Sequence, residues 1–169
     1  MDAQRYQTEK KWYIRPMRAS DLADVAVMEA AVFSMPWNEK GFSDAIAQPD
    51  NLFLAAELEN GEIGAYCGMY TAAGEGEITN VAVRKDLRRQ GLGREILSHL
   101  LRIADERGIG QIFLEVRVSN TAARRLYENA GFSDCGVRRD FYRKPKEDAL
   151  VMCVKLPVTS TVKISNSAV

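Results

Sequence analysis

The strongest constraint on the fold is a strand–helix–strand pattern in the middle of the chain. Residues 92–107 place apolar side chains at helical spacing, with Leu92, Ile96, Leu100 and Ile103 on one stripe. The strand-like segment GEITNVAV precedes this helix, and the strand-like segment QIFLEVRV follows it. Strands that alternate with helices are typical of α/β domains in which part of the sheet is parallel. We therefore predict an α/β fold.

The rest of the chain continues this alternation. WYIRPMR is predicted as a strand, and DLADVAVMEAAVF as a helix capped by Ser20. A short helix is expected after Asn38, and two further strands should form a hairpin at Asn60-Gly61. TAARRLYENA is predicted as a helix that ends at Gly131, and ALVMCVKL as the final strand.

Charge and hydropathy narrow the classes of protein that the chain can represent. The 169 residues carry 23 Lys and Arg against 23 Asp and Glu, so a nucleic-acid partner is not expected. No apolar run is long enough to span a membrane, and the polar start MDAQRYQTEKK does not resemble a signal peptide. We predict one cytoplasmic domain over residues 1–169. Its core covers about 12–156, and residues 157–169 form a tail that is either frayed or an added edge strand.

Cysteine and histidine usage gives no sign of a metal site. Cys67, Cys135 and Cys153 are far apart in sequence and form no Cys-x-x-Cys pair, so we expect buried or half-buried thiols in a reducing compartment. His99 is the only histidine, and its helical spacing predicts a solvent-exposed position beside charged residues. Histidine-dependent triads are therefore not expected, and no metal is predicted.

The segment RRQGLGR, residues 88–94, joins a strand to the start of the long helix. Free N–H groups and the helix dipole favour an anion at such a position, and glycines let a phosphate approach the backbone. Ile96 stands where a dinucleotide-binding fingerprint needs a third glycine, and no Gly-Lys-Ser/Thr of a Walker loop follows. The loop alone leaves two interpretations, a phosphate site or a turn with solubilising arginines.

The order of several short motifs favours the phosphate site. The segments MPWNEKGF, RRQGLGR, LEVRVSN, LYENAGF, RRDFY and EDALVM occur in this order between Ile14 and Leu156. Together they resemble the GNAT acetyltransferase superfamily, whose signature Arg/Gln-x-x-Gly-x-Gly/Ala is matched by Arg88, Gly91 and Gly93. Within it the chain is most similar to the ribosomal-protein-alanine N-acetyltransferase (RimI-like) type.

This resemblance implies a mixed central sheet that is splayed around acetyl-coenzyme A and flanked by helices. The backbone at the end of GEITNVAV would hold the pantetheine arm and the acetyl carbonyl, and the glycine loop would surround the phosphates. The implied cofactor-binding residues are Val81, Ala82, Val83, Arg88, Arg89, Gln90, Gly91, Leu92, Gly93, Arg94 and Asn120. One departure is Lys85, where family members often have a proline that stiffens the turn.

Glu115 and Tyr127 are the candidate catalytic residues. Strand alternation turns Glu115 away from Leu114 and Val116, and a carboxylate in a central strand needs a partner or a cleft. The alternatives are a general base, as the resemblance implies, and an ion pair with an arginine such as Arg117. The resemblance makes Tyr127 the acid that protonates the leaving thiolate, whereas helix tyrosines by themselves more often only pack.

The acceptor is the least constrained part of the prediction. Pro36-Trp37 and Phe141-Tyr142 are candidate walls of a peptide groove, with ordinary core packing as the alternative. The resemblance implies acetyl transfer to the N-terminal α-amine of a protein, namely a ribosomal protein that begins with alanine. A lysine or small-amine acceptor and a non-catalytic acyl-coenzyme A sensor remain as alternatives.

Overall fold

The computed structural model describes residues 11–157, which form a mixed seven-stranded sheet in the order β1-β2-β3-β4-β5-β7-β6. The strands are β1 Trp12–Pro16, β2 Leu52–Leu58, β3 Ile63–Ala72, β4 Glu75–Val83, β5 Gln111–Arg117, β6 Ser133–Arg143 and β7 Lys146–Lys155. The helices are α1 Leu22–Val32, α2 Glu39–Ile46, α3 Leu92–Glu106 and α4 Thr121–Asn129. Among residues 11–157, none of these helices is long and apolar enough to cross a membrane. Apart from Pro157, the expected tail lies outside the described residues.

Within residues 11–157, only β4 and β5 pair in parallel, and α3 connects them, which confirms the α/β prediction. Their ladder runs from Glu75–Gln111 to Ile78–Leu114 and then stops, although both strands continue. On the other side of β4, the register shifts between Asn80 and Ile78, so that one extra β4 residue lies between the two pairs. A bulge of this kind bends a strand. The carboxyl ends of β4 and β5 therefore diverge, as the expected splayed sheet requires.

Each face of the sheet carries one hydrophobic cluster. The first cluster packs α3 and α4 against the sheet and includes Leu92, Ile96 and Leu100, the stripe that the sequence predicts. Ile103, the fourth member of that stripe, is only half-buried. The second cluster packs α1 and α2 on the opposite face around Phe42. The region where β4 leaves β5 therefore lies between two packed layers.

One of the predicted helix N-caps is confirmed and one is wrong. The side chain of Asn38 accepts the N–H of Gly41 at 2.9 Å, as expected for the start of α2. Ser20 does not cap α1. The carboxylate of Asp21 instead accepts the backbone N–H of Arg18 at 2.7 Å and also binds Arg15 at 2.7 Å. The start of α1 is therefore fixed by a buried charge pair, which no local cap rule predicts.

Strand β6 is absent from the sequence-based prediction. All of its 11 residues except Tyr142 are exposed, because β6 is an edge strand that no helix covers. Its pairing with β7 is also interrupted by two register shifts. Without a buried face, the segment has no alternation of apolar and polar residues that could indicate a strand.

The cysteines differ partly from the expectation. Cys67 is buried, and burial raises the pKa of its thiol. Cys135 is exposed on β6 and not buried, because the edge strand has no covering layer. Burial and nearby Cys153 on β7 raise the pKa of the Cys135 thiol to about 11, although the two cysteines are far apart in sequence.

Candidate active site

The gap between β4 and β5 is bordered by the start of α3. A Cβ atom at Gly93 would lie 3.4 Å from Val83 at the end of β4 and 3.7 Å from Leu126 of α4. The end of β4, the first turn of α3 and α4 thus meet at one place. Val81, Ala82 and Val83 lie on β4 beyond its last pair with β5, where the ladder leaves this edge of the strand open.

The glycine loop, residues 88–94, leaves the first turn of α3 open. Gly91 occupies the N-cap position with a left-handed φ of +87°, and no side chain caps the helix there. Arg88 donates to the carbonyl of Val83 at 3.1 Å, and Gln90 donates to the carbonyl of Asp86 at 3.1 Å. These two hydrogen bonds fix the loop to the preceding residues, while the first N–H groups of α3 have no side-chain cap. N–H groups left open in this way are suited to bind an anion.

Asn120 serves as the N-cap of α4. Its side-chain oxygen accepts the N–H of Ala123 at 3.1 Å. The predicted cofactor contact of Asn120 would therefore have to use its amide N–H groups or its backbone, because the carbonyl is already engaged in capping.

Glu115 lies in the middle of β5, directly opposite Val151 of β7, and only 14% of its side chain is exposed. Burial raises the pKa of Glu115, while the Arg138 guanidinium, 3.3 Å from Glu115 Oε1, acts in the opposite direction. The ion pair with Arg117 that the sequence left open is not formed; Arg138 is the partner. A half-buried carboxylate with a raised pKa is suited to accept a proton near neutral pH.

Arg117, two residues further along β5, joins two loops beside Glu115. Its guanidinium donates to the carbonyl groups of residues 144–145 at 3.0 and 2.9 Å and to Glu147 at 3.1 Å. It also donates to Ser34 in the α1–α2 loop at 3.3 Å and lies 4.2 Å from the ring centre of Tyr142. One side chain thus orients the β6–β7 hairpin and the α1–α2 loop, which no local motif indicates.

Tyr127 is buried on α4, with its ring edge-to-face against Phe132 at 5.7 Å. Its hydroxyl has no hydrogen-bond partner among residues 11–157. Burial raises the pKa of Tyr127, and nearby Cys67 and Tyr142 raise it further. The pKa of Tyr142 is raised to about 12, because burial and the charge of Glu115 raise it more than Arg117 lowers it. Tyr142 therefore interacts electrostatically with both Tyr127 and Glu115.

Trp37 lies in the α1–α2 loop and Tyr142 lies near the end of β6, in the two segments that Arg117 joins. The ring of Trp37 stacks on Tyr70 at 5.8 Å and contacts Phe42 at 5.2 Å, so much of it packs against the second cluster. Phe141 is 43% exposed and packs edge-to-face on Tyr142 at 5.1 Å. For Trp37 the packing alternative is therefore at least partly correct, whereas the charge of Glu115 acts on the pKa of Tyr142.

Sequence reasoning missed Glu29, a fully buried carboxylate on α1. It accepts hydrogen bonds from the Tyr66 hydroxyl, from Asn80 Nδ2 at 2.9 Å and from the Trp37 N–H at 3.2 Å. Its spacing of four residues from Val25, on the face of α1 that packs against the sheet, is the signal that could have revealed it.

Comparisons with known proteins agree with this geometry. The family model described as Acetyltransferase (GNAT) family matches residues 22–132, more than half of the chain. A Bacillus subtilis protein, the putative ribosomal protein bS18-alanine N-acetyltransferase, is 33% identical over 144 residues, which cover 85% of this chain and 95% of that protein.

Solved structures give the same result. The ribosomal-protein-S18-alanine N-acetyltransferase from Escherichia coli matches with a TM-score of 0.78 at 34% identity, over 85% of this chain and 93% of that one. A phosphinothricin acetyltransferase from Sinorhizobium meliloti, solved in complex with AcCoA, matches with a TM-score of 0.76 at 17% identity, over 94% and 96% of the two chains. The second match concerns the fold alone.

Proposed function

This chain belongs to the acetyltransferase (GNAT) family, and from this premise we propose that it transfers the acetyl group of acetyl-coenzyme A to the N-terminal α-amine of a protein. The acceptor we propose is a ribosomal protein that begins with alanine, as the names of the relatives suggest. One observation carries the proposal: the gap between β4 and β5 has an open helix N-terminus at one border and Glu115 at the other.

The donor fits the β4 side of the gap. The pyrophosphate of acetyl-coenzyme A would accept hydrogen bonds from the first N–H groups of α3, where Gly91 and Gly93 leave room for it. The pantetheine arm contains amide groups, and it would lie along the open edge of β4 at Val81–Val83 as an additional strand does. Arg89 and Arg94 would add positive charge at the phosphates.

Two side chains would move protons during the transfer. The neutral amine attacks the acetyl carbonyl carbon, and Glu115 accepts a proton from the amine nitrogen, directly or through water. The intermediate collapses by breaking the carbon–sulfur bond, and the Tyr127 hydroxyl protonates the departing thiolate. Return of the proton from Glu115 to Tyr127 restores the enzyme and leaves an N-acetylated amine and free coenzyme A.

The acceptor would enter between the α1–α2 loop and the β6–β7 hairpin, which Arg117 holds together. Trp37 and Tyr142 would border this entrance. An α-amine, with a pKa near ~8, is more often neutral at pH ~7 than a lysine side chain with a pKa near ~10.4. The α-amine therefore needs less help from Glu115. A ribosomal acceptor would place the enzyme in the cytoplasm.

A single peptide distinguishes the acceptors. The substrate has an N-terminal alanine and one internal lysine, and mass spectrometry of the product after reaction with acetyl-coenzyme A locates the acetyl group. We expect it on the α-amine. The matched control is the same peptide with a formylated N-terminus, which should not react.

Other outcomes would replace the proposal. Acetylation of the lysine in both peptides would identify a lysine acetyltransferase. Turnover of polyamines without turnover of peptides would identify a small-amine enzyme. A protein that binds acetyl-coenzyme A but modifies none of these acceptors would be a sensor, although the presence of both Glu115 and Tyr127 argues against this.

A further inference from the structure

The buried carboxylate of Glu29 joins three elements of the molecule. Glu29 is 1% exposed on α1, and both of its oxygens accept hydrogen bonds. Oε2 accepts from the Tyr66 hydroxyl on β3, while Oε1 accepts from Asn80 on β4 and from the backbone of Trp37 in the α1–α2 loop. We call these four residues the Glu29 cluster. None of them takes part in the proton transfers described above.

The cluster ties the entrance loop to the part of β4 that departs from β5. Asn80 is the first β4 residue after the register shift and immediately precedes Val81–Val83. Trp37 immediately precedes the N-cap of α2 and follows the segment that Arg117 holds through Ser34. A change at Glu29 would therefore reach both borders of the gap, the strand proposed for the donor and the loop proposed for the acceptor.

Asn80 itself has one unused hydrogen-bonding group. The residue is 6% exposed, and its Nδ2 is committed to Glu29. No donor among residues 11–157 reaches its buried side-chain carbonyl oxygen, Oδ1. Buried acceptors are normally satisfied, and leaving one unpaired is costly. At this position beside the gap, an N–H group of a bound ligand would satisfy it.

We propose that Glu29 is a positioning residue for acetyl transfer, which holds the α1–α2 loop on β4 and fixes Asn80 so that its side-chain carbonyl accepts an N–H group of a ligand. Both ligands of the proposed function carry such a group, namely the amides of the pantetheine arm and the amine of the acceptor. The inference rests on that proposed function, and separate measurements on the two ligands distinguish the two sources.

The first pair of variants is Glu29→Leu and Glu29→Gln. Leucine removes all three hydrogen bonds, and small displacements of reacting groups can lower rates about a hundredfold, so we expect kcat/KM for the peptide to fall between about tenfold and a hundredfold. Glutamine can keep its oxygen towards Asn80 and Trp37 and donate its amide to the Tyr66 oxygen, so we expect kcat/KM to return to within about threefold of the wild type.

The variant Asn80→Leu tests the free carbonyl. A hydrogen bond is worth about fivefold to tenfold in affinity. If the partner is a pantetheine amide, the Kd of coenzyme A measured by calorimetry rises by that factor. If the partner is the acceptor amine, the peptide KM rises and the Kd of coenzyme A stays unchanged. Both results support the proposal, and each identifies the ligand. If Glu29→Leu does not fold, Asn80→Leu alone tests the proposal, because it leaves Glu29 two of its three hydrogen-bond donors.

Tyr66→Phe is the matched control. It removes one hydrogen bond to the same carboxylate but leaves the Asn80 and Trp37 bonds, so we expect a lower Tm with unchanged kinetic constants. A fall in kcat/KM for Tyr66→Phe equal to that of Glu29→Leu would overturn the positioning role, because the effect would then follow stability alone. Kinetic constants and Kd within twofold of the wild type in folded Glu29→Leu and Asn80→Leu would overturn it as well.

Failure of this inference is separable from failure of the proposed function. If the wild type acetylates the N-terminal peptide and the variants behave like it, only the inference fails. If the wild type prefers lysine or a small amine, the same variants are measured with that acceptor.

Discussion

Replacing Tyr127 with phenylalanine removes only the hydroxyl that we assign to the leaving thiolate. The ring is buried and packs on Phe132, and this contact does not need the oxygen. Because the hydroxyl has no partner among residues 11–157, the substitution breaks no hydrogen bond that the structure describes. We expect the free energy of unfolding to stay the same or rise by up to about 1 kcal/mol, which corresponds to an increase in Tm of at most about 4 °C.

The effect on turnover should be much larger than the effect on stability. A positioned general acid contributes between about a hundredfold and ten-thousandfold, or about 3 to 5 kcal/mol in the activation barrier. The raised pKa of Tyr127 keeps its hydroxyl protonated at neutral pH, so the proton is available for the thiolate. We therefore expect kcat to fall by this factor, while the Kd of acetyl-coenzyme A changes by less than about threefold.

The assay measures release of the free thiol at saturating peptide, with calorimetry for the Kd and thermal unfolding for the Tm. Tyr142→Phe is the matched control. It also removes a tyrosine hydroxyl, from a half-buried side chain on which the charge of Glu115 acts, and it leaves the ring beneath Arg117. We expect Tyr142→Phe to affect kcat by less than about tenfold. A Tyr127→Phe enzyme with kcat within tenfold of the wild type would refute the assignment. If kcat fell more in Tyr142→Phe than in Tyr127→Phe, Tyr142 would be the general acid.

Three further predictions follow from the site. Gly91→Ala should weaken coenzyme A binding and cost about 1–2 kcal/mol in stability, because φ is +87° there. Gly93→Ala should also weaken coenzyme A binding, because its methyl group narrows the room proposed for the pyrophosphate, but it should change stability little, since its Cβ meets Val83 at an ordinary 3.4 Å. Calorimetry checks the binding, and thermal unfolding checks the stability. The acid limb of the kcat/KM–pH profile should contain one contribution from Glu115 and one from the α-amine of the peptide, whose pKa is near ~8. Arg138→Gln should move the Glu115 contribution to higher pH, and Glu115→Gln should leave only the contribution of the α-amine. Because the folded-state pKa of Glu115 is raised, its contribution to stability is fully present below the unfolded pKa and declines as pH rises through the folded value; Glu115→Gln should therefore not destabilise the protein at pH 7. Arg117→Lys should raise the peptide KM without changing the Kd of coenzyme A, because lysine cannot reproduce the forked contacts with the two loops.

The sequence determined those parts of the molecule that depend on near neighbours along the chain. The α3 stripe, the Asn38 cap and the hairpin at Gly61 follow from spacing and local backbone chemistry, and the structure contains all three. The order of the motifs around the glycine loop also indicated the family, and the family match confirms it. The stripe, the cap and the hairpin rest on interactions between residues a few positions apart, whereas the family follows from a likeness to known sequences.

Tertiary structure decided the rest, because the deciding contacts join distant residues. Arg138, and not Arg117, is the partner of Glu115. Arg138 lies on β6, and its long side chain reaches Glu115 on β5 although β7 lies between the two strands. Strand β6 gave no pattern because the solvent on both of its faces removes the alternation that marks a half-buried strand. The Glu29 cluster joins residues up to 51 positions apart, and a buried carboxylate becomes stable only when folding brings its three donors together.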